Sequence, residues 1–173
     1  SKDKKYLTIY RIYNCPSIRE LIFPNCEIGM PGDMGCIFQN LSLEKLVFPK
    51  GCKCEYMAET SITSGITKVD NLIYENGAEI YIRNSFANVK IGNLFLGDSV
   101  YGIRKPTPDA QYYTPSAFGS YDHVVVDKNN PYYDSRDNCN AVIETDTNEM
   151  ICCTCTTTIP DTVEILTAFY GCD

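Results

Sequence analysis

The chain has no tryptophan, a single histidine, and fewer basic residues than acidic ones. Its 15 Lys and Arg against 22 Asp and Glu give a net charge of -7. This balance argues against a nucleic-acid surface, which needs clustered positive charge to replace phosphate counterions. No apolar run approaches the roughly 18 residues that span a bilayer, and no stretch has the layout of a signal peptide. No ten-residue window has a clear 3.6-residue apolar period, so long helices are not expected.

A short apolar motif recurs along the chain instead. Its copies lie 22 to 30 residues apart. They are Ile18-x-x-Leu21-x-Phe23, Leu43-x-x-Leu46-x-Phe48, Val69-x-x-Leu72-x-Tyr74, Ile91-x-x-Leu94-x-Leu96 and Tyr121-x-x-Val124-x-Val126. Self-similarity at this period, with a short alternating strand in each copy, is typical of a leucine-rich repeat solenoid. We therefore expect a right-handed, β-rich solenoid with parallel strands on its concave face. The convex face should hold short strands, turns and little helix.

The start of the chain does not fit a full repeat. Residues 6–13 alternate strongly enough to predict a strand. Leu7 is too close to Leu21 for a complete coil, and an open solenoid end must be covered. We therefore predict an N-terminal cap or partial coil over residues 1–16 and a single solenoid domain over 17–173.

Local signals predict several further elements. Asn76-Gly77 indicates a tight turn, and residues 104–116, with three prolines, indicate an irregular loop. Residues 141–144 and 149–152 flank a four-residue turn and predict a β-hairpin. Residues 159–165 resemble an earlier post-strand segment and predict the start of another coil.

The ten cysteines do not have the spacing of a disulfide scaffold. Cys52/Cys54 and Cys152/Cys153/Cys155 form local clusters, and neither has the two-residue gap usual in structural zinc sites. We expect mostly free, buried thiols, with one or two disulfides or a soft-metal site as the open alternatives. Small polar side chains are expected to form a ladder before the strands, at Cys15, Asn40 and Asn88.

The residue between the last two anchors of each copy should point out of the concave face, because side chains alternate along a strand. We name two sets of outward-facing residues on this basis. The apolar column comprises Ile22, Val47, Ile73, Phe95 and Val125. The polar column comprises Glu20, Lys45, Asn71, Asn93 and His123. Strands stacked about 4.8 Å apart would join each column into a stripe and form a contact surface. The alternatives are that these residues only suit strands, or that the chain's own loops cover them.

Catalytic and metal-binding interpretations have weaker support. His123 is the single histidine, and no nucleophile motif accompanies it. Four polar residues could in principle bind calcium, but they lack an EF-hand pattern and are interrupted by Pro131. They are Asp127, Asn129, Asp134 and Asp137. We predict no catalytic residue, cofactor or resident metal.

Two stretches resemble a known family. Residues 159–163 together with 168–172 resemble the repeat unit of BspA-type leucine-rich repeat proteins, which are abundant on the surfaces of gut and oral anaerobic bacteria. Residues 126–143 are similar to a longer unit within that family. That similarity continues at Thr145, Asn148 and Ile151. The resemblance covers 121–173 well, whereas residues 1–120 match mainly through the strand anchors.

The resemblance implies an exported surface protein that binds host proteins, other cells or matrix, and it supplies no catalytic residues. The first residue is Ser, so an export signal is expected to be missing from this sequence. We expect a non-enzymatic, cell-surface or secreted protein that binds a protein or other surface macromolecule through its concave face, without nucleic acid and without a transmembrane segment. The first alternative is a structural, self-associating segment of a longer surface protein, with a possible homodimer. The distant alternative is a hydrolase or metal-binding domain.

Overall fold

The computed structural model describes residues 6–8, 15–29, 41–54, 65–83, 86–103 and 117–167. Strands dominate these residues, and helix is limited to one 3-10 turn at Arg136–Asn138. The expectation of a strand-rich fold with little helix is confirmed. Within the same residues, no helix is long and apolar enough to cross a membrane.

The repeats build two five-stranded sheets. The first sheet contains β1 (Tyr6–Thr8), β3 (Glu27–Gly29), β5 (Lys53–Cys54), β7 (Glu79–Arg83) and β9 (Val100–Ile103). The second contains β2 (Glu20–Ile22), β4 (Leu41–Phe48), β6 (Ile66–Tyr74), β8 (Phe86–Leu96) and β10 (Phe118–Val126). All neighbouring strands in both sheets are parallel. Strands that follow each other in the chain alternate between the sheets, so each repeat adds one strand to each sheet.

A third sheet follows the repeats. It contains β11 (Tyr133–Asp134), β12 (Val142–Glu144), β13 (Glu149–Cys152) and β14 (Ile165–Leu166), in that order. The antiparallel pair β12–β13 confirms the predicted hairpin. The segment expected to begin another coil ends in β14, which pairs parallel with β13. The earlier segment that it resembles leads into β3 of the first sheet, so similar sequences here enter different sheets.

The core forms from the anchors of each copy. In β4, Leu43, Leu46 and Phe48 are buried, and the equivalent anchors of β6, β8 and β10 are buried as well. Phe48 stacks between Phe23, at 4.7 Å, and Tyr74, at 4.8 Å, measured between ring centroids. Burying a large apolar side chain contributes about 1.5–3 kcal/mol, and stacked aromatics add to this. The recurring anchor therefore becomes a continuous internal ladder.

The turns after the second-sheet strands also stack. Gly51 and Gly77 both adopt φ +80°, a conformation that glycine reaches without the strain of a side chain, and Gly51 N donates to Gly77 O at 2.9 Å. Asn76 accepts a hydrogen bond from Asp98 N at 3.2 Å and donates to Asp127 Oδ2 at 2.9 Å. The predicted Asn76-Gly77 turn is confirmed, and its side chain connects the turns of three repeats.

The N-terminal segment contributes β1, which pairs with β3, while Leu7 packs against the core. The remainder of the strand predicted over residues 6–13 lies outside the described residues. So does the loop predicted over 104–116, as well as Asn40 and the side chain of Asn88.

Eight of the ten cysteines lie in the described residues, and no disulfide joins any two of them. Six are buried: Cys26, Cys52, Cys54, Cys139, Cys152 and Cys153. Burial, reinforced by the neighbouring Cys54 and Cys26, raises the pKa of Cys52 to about 12. The cysteines of the repeats thus behave as small apolar side chains.

Candidate functional site

The register of the second sheet aligns both columns. In the apolar column the paired residues are Ile22 with Val47, Val47 with Ile73, Ile73 with Phe95, and Phe95 with Val125. In the polar column they are Glu20 with Lys45, Lys45 with Asn71, Asn71 with Asn93, and Asn93 with His123. The predicted stacking of these ten residues is confirmed. The repeats therefore place two chemically distinct stripes beside each other on one sheet.

The apolar column is not uniformly exposed. Ile22 and Val125, at its two ends, are 56% and 55% exposed, while Ile73 and Phe95 are half-buried. Val47 is only 4% exposed, so the expectation of five exposed side chains is wrong at this position. Val47 pairs in register with Ile22 on one side and with Ile73 on the other. The stripe is therefore most exposed at its two ends, on β2 and β10, and is interrupted at β4.

Side-chain amides form a ladder within the polar column. Asn93 Nδ2 donates to Asn71 Oδ1 at 3.0 Å, and Asn71 Nδ2 donates to Glu44 O at 3.0 Å. These bonds orient both amides along the sheet surface. They leave His123, which is exposed, at the β10 end of the column.

A depression of about 270 Å³ lies where the two columns meet on β6, β8 and β10. It is lined by Asn71, Ile73, Asn93, Leu94, Phe95, His123 and Val125. Its floor is apolar, and its rim carries two amides and an imidazole. Binding pockets commonly have this composition, since apolar surface supplies affinity and a few polar groups orient the ligand.

His123 lines two further depressions, of about 390 Å³ and about 450 Å³. Lys90, Asp122 and Cys155 contribute to the first, and Ser135, Asn138 and Asn140 to the second. Thr156 lines both. The spacing of the repeats gave no indication that the C-terminal residues would lie beside His123.

The surroundings of the columns carry charges of both signs. Lys68 and Lys90 pair in register across β6 and β8, and Lys68 Nζ lies 2.6 Å from Asp70 Oδ1. The hydrogen bond and the negative charge of Asp70 raise the pKa of Lys68. Arg19 Nε lies 3.7 Å from Glu44 Oε1. The face is therefore neither a basic nor an acidic patch.

The four residues considered for calcium do not form one site. Asp127 Oδ1 accepts a hydrogen bond from the backbone N of Asn129 at 2.8 Å. This hydrogen bond and the one from Asn76 lower the pKa of Asp127. Burial opposes ionisation of Asp134, but the hydrogen bonds and charge of Arg136 outweigh it and lower the pKa of Asp134. Within the part of the chain that the structure describes, no group of three or more His, Cys, Asp or Glu could hold a metal ion.

Comparison with known proteins returns no match: no family model fits the chain, and no curated protein or solved structure is significantly similar to it.

Proposed function

We propose that this chain is a non-enzymatic binding protein of the BspA type, a right-handed leucine-rich repeat solenoid whose second sheet is the concave face. In this proposal the protein is exported, on the cell surface or secreted, and binds a protein or another surface macromolecule. The alternation of strands between two parallel sheets and the matched pairing of both columns across five repeats support the proposed architecture. We propose no catalytic residue and no cofactor.

The depression where the two columns meet is the proposed binding site, and it is the observation on which the functional proposal depends. A partner side chain inserted there would contact Phe95 and Val125 and bury apolar surface worth about 1.5–3 kcal/mol for each well-covered side chain, before the costs of association. The amides of Asn71 and Asn93 lie at the rim, where they can bond polar groups of the partner. Protein interfaces commonly have this arrangement of an apolar centre with a polar rim.

A charge placed in the depression tests this proposal. We expect Val125→Asp to weaken binding at least tenfold, because an unpaired carboxylate would be buried against the partner. The matched control is Ile159→Asp, since Ile159 is similarly exposed, at 46% against 55% for Val125, but lies outside both columns. The measurement is surface binding to a panel of purified extracellular matrix proteins and to intact epithelial cells. Equal affinities of the two variants would contradict the proposal, as would no binding by the wild type.

Self-association is the second candidate function, because a second copy facing the depression would bury the apolar surface of Ile73, Phe95 and Val125. Light scattering across a concentration series distinguishes the two candidates. A wild-type dimer that Phe95→Asp dissociates would assign the depression to contact between copies. A wild-type monomer that still binds one of the probes would assign it to a foreign partner.

A further inference from the structure

The last strand of the second sheet, β10, has an edge that faces away from β8. The backbone groups of its odd-numbered residues point toward β8. This direction continues at Asp127, whose N donates a hydrogen bond to Leu96 O at 2.8 Å. The N–H groups of Val124 and Val126 therefore point to the opposite edge, because backbone groups alternate in direction along a strand. Such an edge is a template for another strand unless something covers it.

The side-chain amide of Asn140 covers the middle of this edge. Its Oδ1 accepts from Val124 N at 2.9 Å, and its Nδ2 donates to Asp122 O at 2.9 Å. These are the two groups on either side of His123 that a single residue of a parallel neighbouring strand would bond. The side chain of Asn140 thus makes the two hydrogen bonds that the backbone of one residue in a neighbouring strand would make.

Two threonines hold that amide in place. Asn140 Nδ2 lies 3.1 Å from Thr154 Oγ1 and 2.7 Å from Thr156 Oγ1. Asn140 itself adopts φ 55°, in the left-handed region that asparagine tolerates better than most residues. Residue type, backbone conformation and side-chain support all fit the same role.

The same segment bonds further backbone groups at both sheet ends. Ser135 Oγ accepts from Val126 N at 3.0 Å. At β9, the last strand of the first sheet, the buried Asn130 donates to Val100 O at 3.1 Å, and the Tyr133 hydroxyl accepts from Ile103 N at 2.9 Å. Residues 130–140 therefore satisfy backbone groups at the ends of both sheets with side chains.

We infer that residues 130–140 form a sheet-edge cap that prevents a second copy of the chain from adding to β10. The expected contact is head-to-tail, with β2 of the second copy beside β10. In that arrangement Glu20 would continue the polar column next to His123, and Ile22 would continue the apolar column next to Val125. A head-to-tail contact of this kind does not close on itself and would produce filaments. This inference does not depend on the proposed binding function.

Hydrogen exchange on single variants tests the cap. We expect Ser135→Ala to speed exchange of the Val126 amide at least about tenfold while the Val124 amide stays as in the wild type. Asn140→Gly should have the opposite pattern. Glycine is the appropriate replacement because it retains the positive φ without strain. The β8 amide of Leu94 is the internal control. Val124 and Val126 amides that exchange at wild-type rates in both variants would overturn the cap.

Measurement of the solution mass tests whether the partner that the cap excludes is a second copy of the chain. The double variant Ser135→Ala/Asn140→Gly should grow in mass with concentration, whereas the wild type should not. Adding Ile22→Asp to the double variant should return it to the wild-type mass, because the charge would lie next to Val125 of the preceding copy. The inference of a second copy would be overturned if the edge amides of the double variant exchanged fast while its solution mass stayed at the wild-type value. It would also be overturned if the mass still increased with concentration after Ile22→Asp was added.

Discussion

The repeat region, β1 to β10, and the C-terminal unit, residues 127–167, are held together in different ways. In the repeats, anchor residues contact the equivalent residues of the next coil, as in the stack of Phe23, Phe48 and Tyr74. In the C-terminal unit single side chains connect unlike positions, as Arg136 does for Asp134, Asn148 and Thr162. The first arrangement distributes stability over many similar contacts, whereas the second adds polar connections at a few residues to a small apolar cluster of Cys139, Ala141, Ile143, Met150 and Cys153.

The largest expected effect is a difference in reactivity between one cysteine of the repeats and one cysteine of the C-terminal unit. Cys52, in the repeats, is fully buried with its pKa raised to about 12, whereas Cys155, in the C-terminal unit, is exposed. Because the thiolate is the reactive form, we expect Cys155 to react with a maleimide at least about 100-fold faster than Cys52 at pH 8. Mass spectrometry of the labelled native protein measures this, with the urea-unfolded protein as control. Equal labelling rates in the native state would contradict it.

Truncation of the central aromatic should be the most destabilising change in the repeats. Phe48→Ala removes a fully buried ring that contacts rings in both neighbouring coils. We expect a loss of about 3–5 kcal/mol in the free energy of unfolding, measured with denaturant. Ser42→Ala, at an exposed position of the same strand, is the control and should change it by less than about 0.5 kcal/mol.

Replacing one buried tyrosine in each region with phenylalanine compares the contribution of a bonded hydroxyl with that of an unbonded one. Tyr133→Phe removes the acceptor of Ile103 N and should cost about 1–3 kcal/mol, because that buried N–H loses its partner. The buried hydroxyl of Tyr74 has no hydrogen-bond partner among the described residues, so Tyr74→Phe should be neutral or stabilising. Equilibrium unfolding of both variants measures the difference. A Tyr74→Phe variant that loses more stability than Tyr133→Phe would contradict this prediction.

The smallest expected effect concerns the pH dependence of the C-terminal unit. The pKa of Asp134 is lowered in the folded state, chiefly by Arg136 against the opposing effect of burial. Its contribution to stability is therefore present above its unfolded pKa and is lost as pH falls through the lower folded pKa. Arg136→Met should cost about 1 kcal/mol at pH 7, since the pair is partly exposed, and less at pH 2. Unfolding at both pH values tests this, and an equal loss at pH 7 and pH 2 would contradict the role of the ion pair.

The strands of the repeat region could be predicted from the sequence because the apolar motif recurs periodically. The spacing from Leu21 to Val124 and the alternation within each strand were enough to predict which residues stack in each column. The burial of Val47 was not predicted, because Val47 has the same place in the pattern as the exposed Ile22 and Val125.

The covered edge of β10 could not be predicted in the same way. Ser135 and Asn140 lie in a turn-rich run whose composition indicates only turns. Their acceptor roles depend on residues of β10 that precede them in the chain by 9 and 16 residues. The hairpin formed by β12 and β13 was predicted because it is local. Contacts between unlike, distant positions leave no periodic signal.

The repeats differ in length by up to eight residues, from 22 to 30, while the pairing of the two columns is maintained. Differences in length must therefore be accommodated in the segments that connect the strands. For protein engineering, this makes the second sheet a scaffold of fixed geometry. Foreign peptides grafted between β9 and β10, where the interval is longest, should leave the spacing of Phe95 and Val125 unchanged.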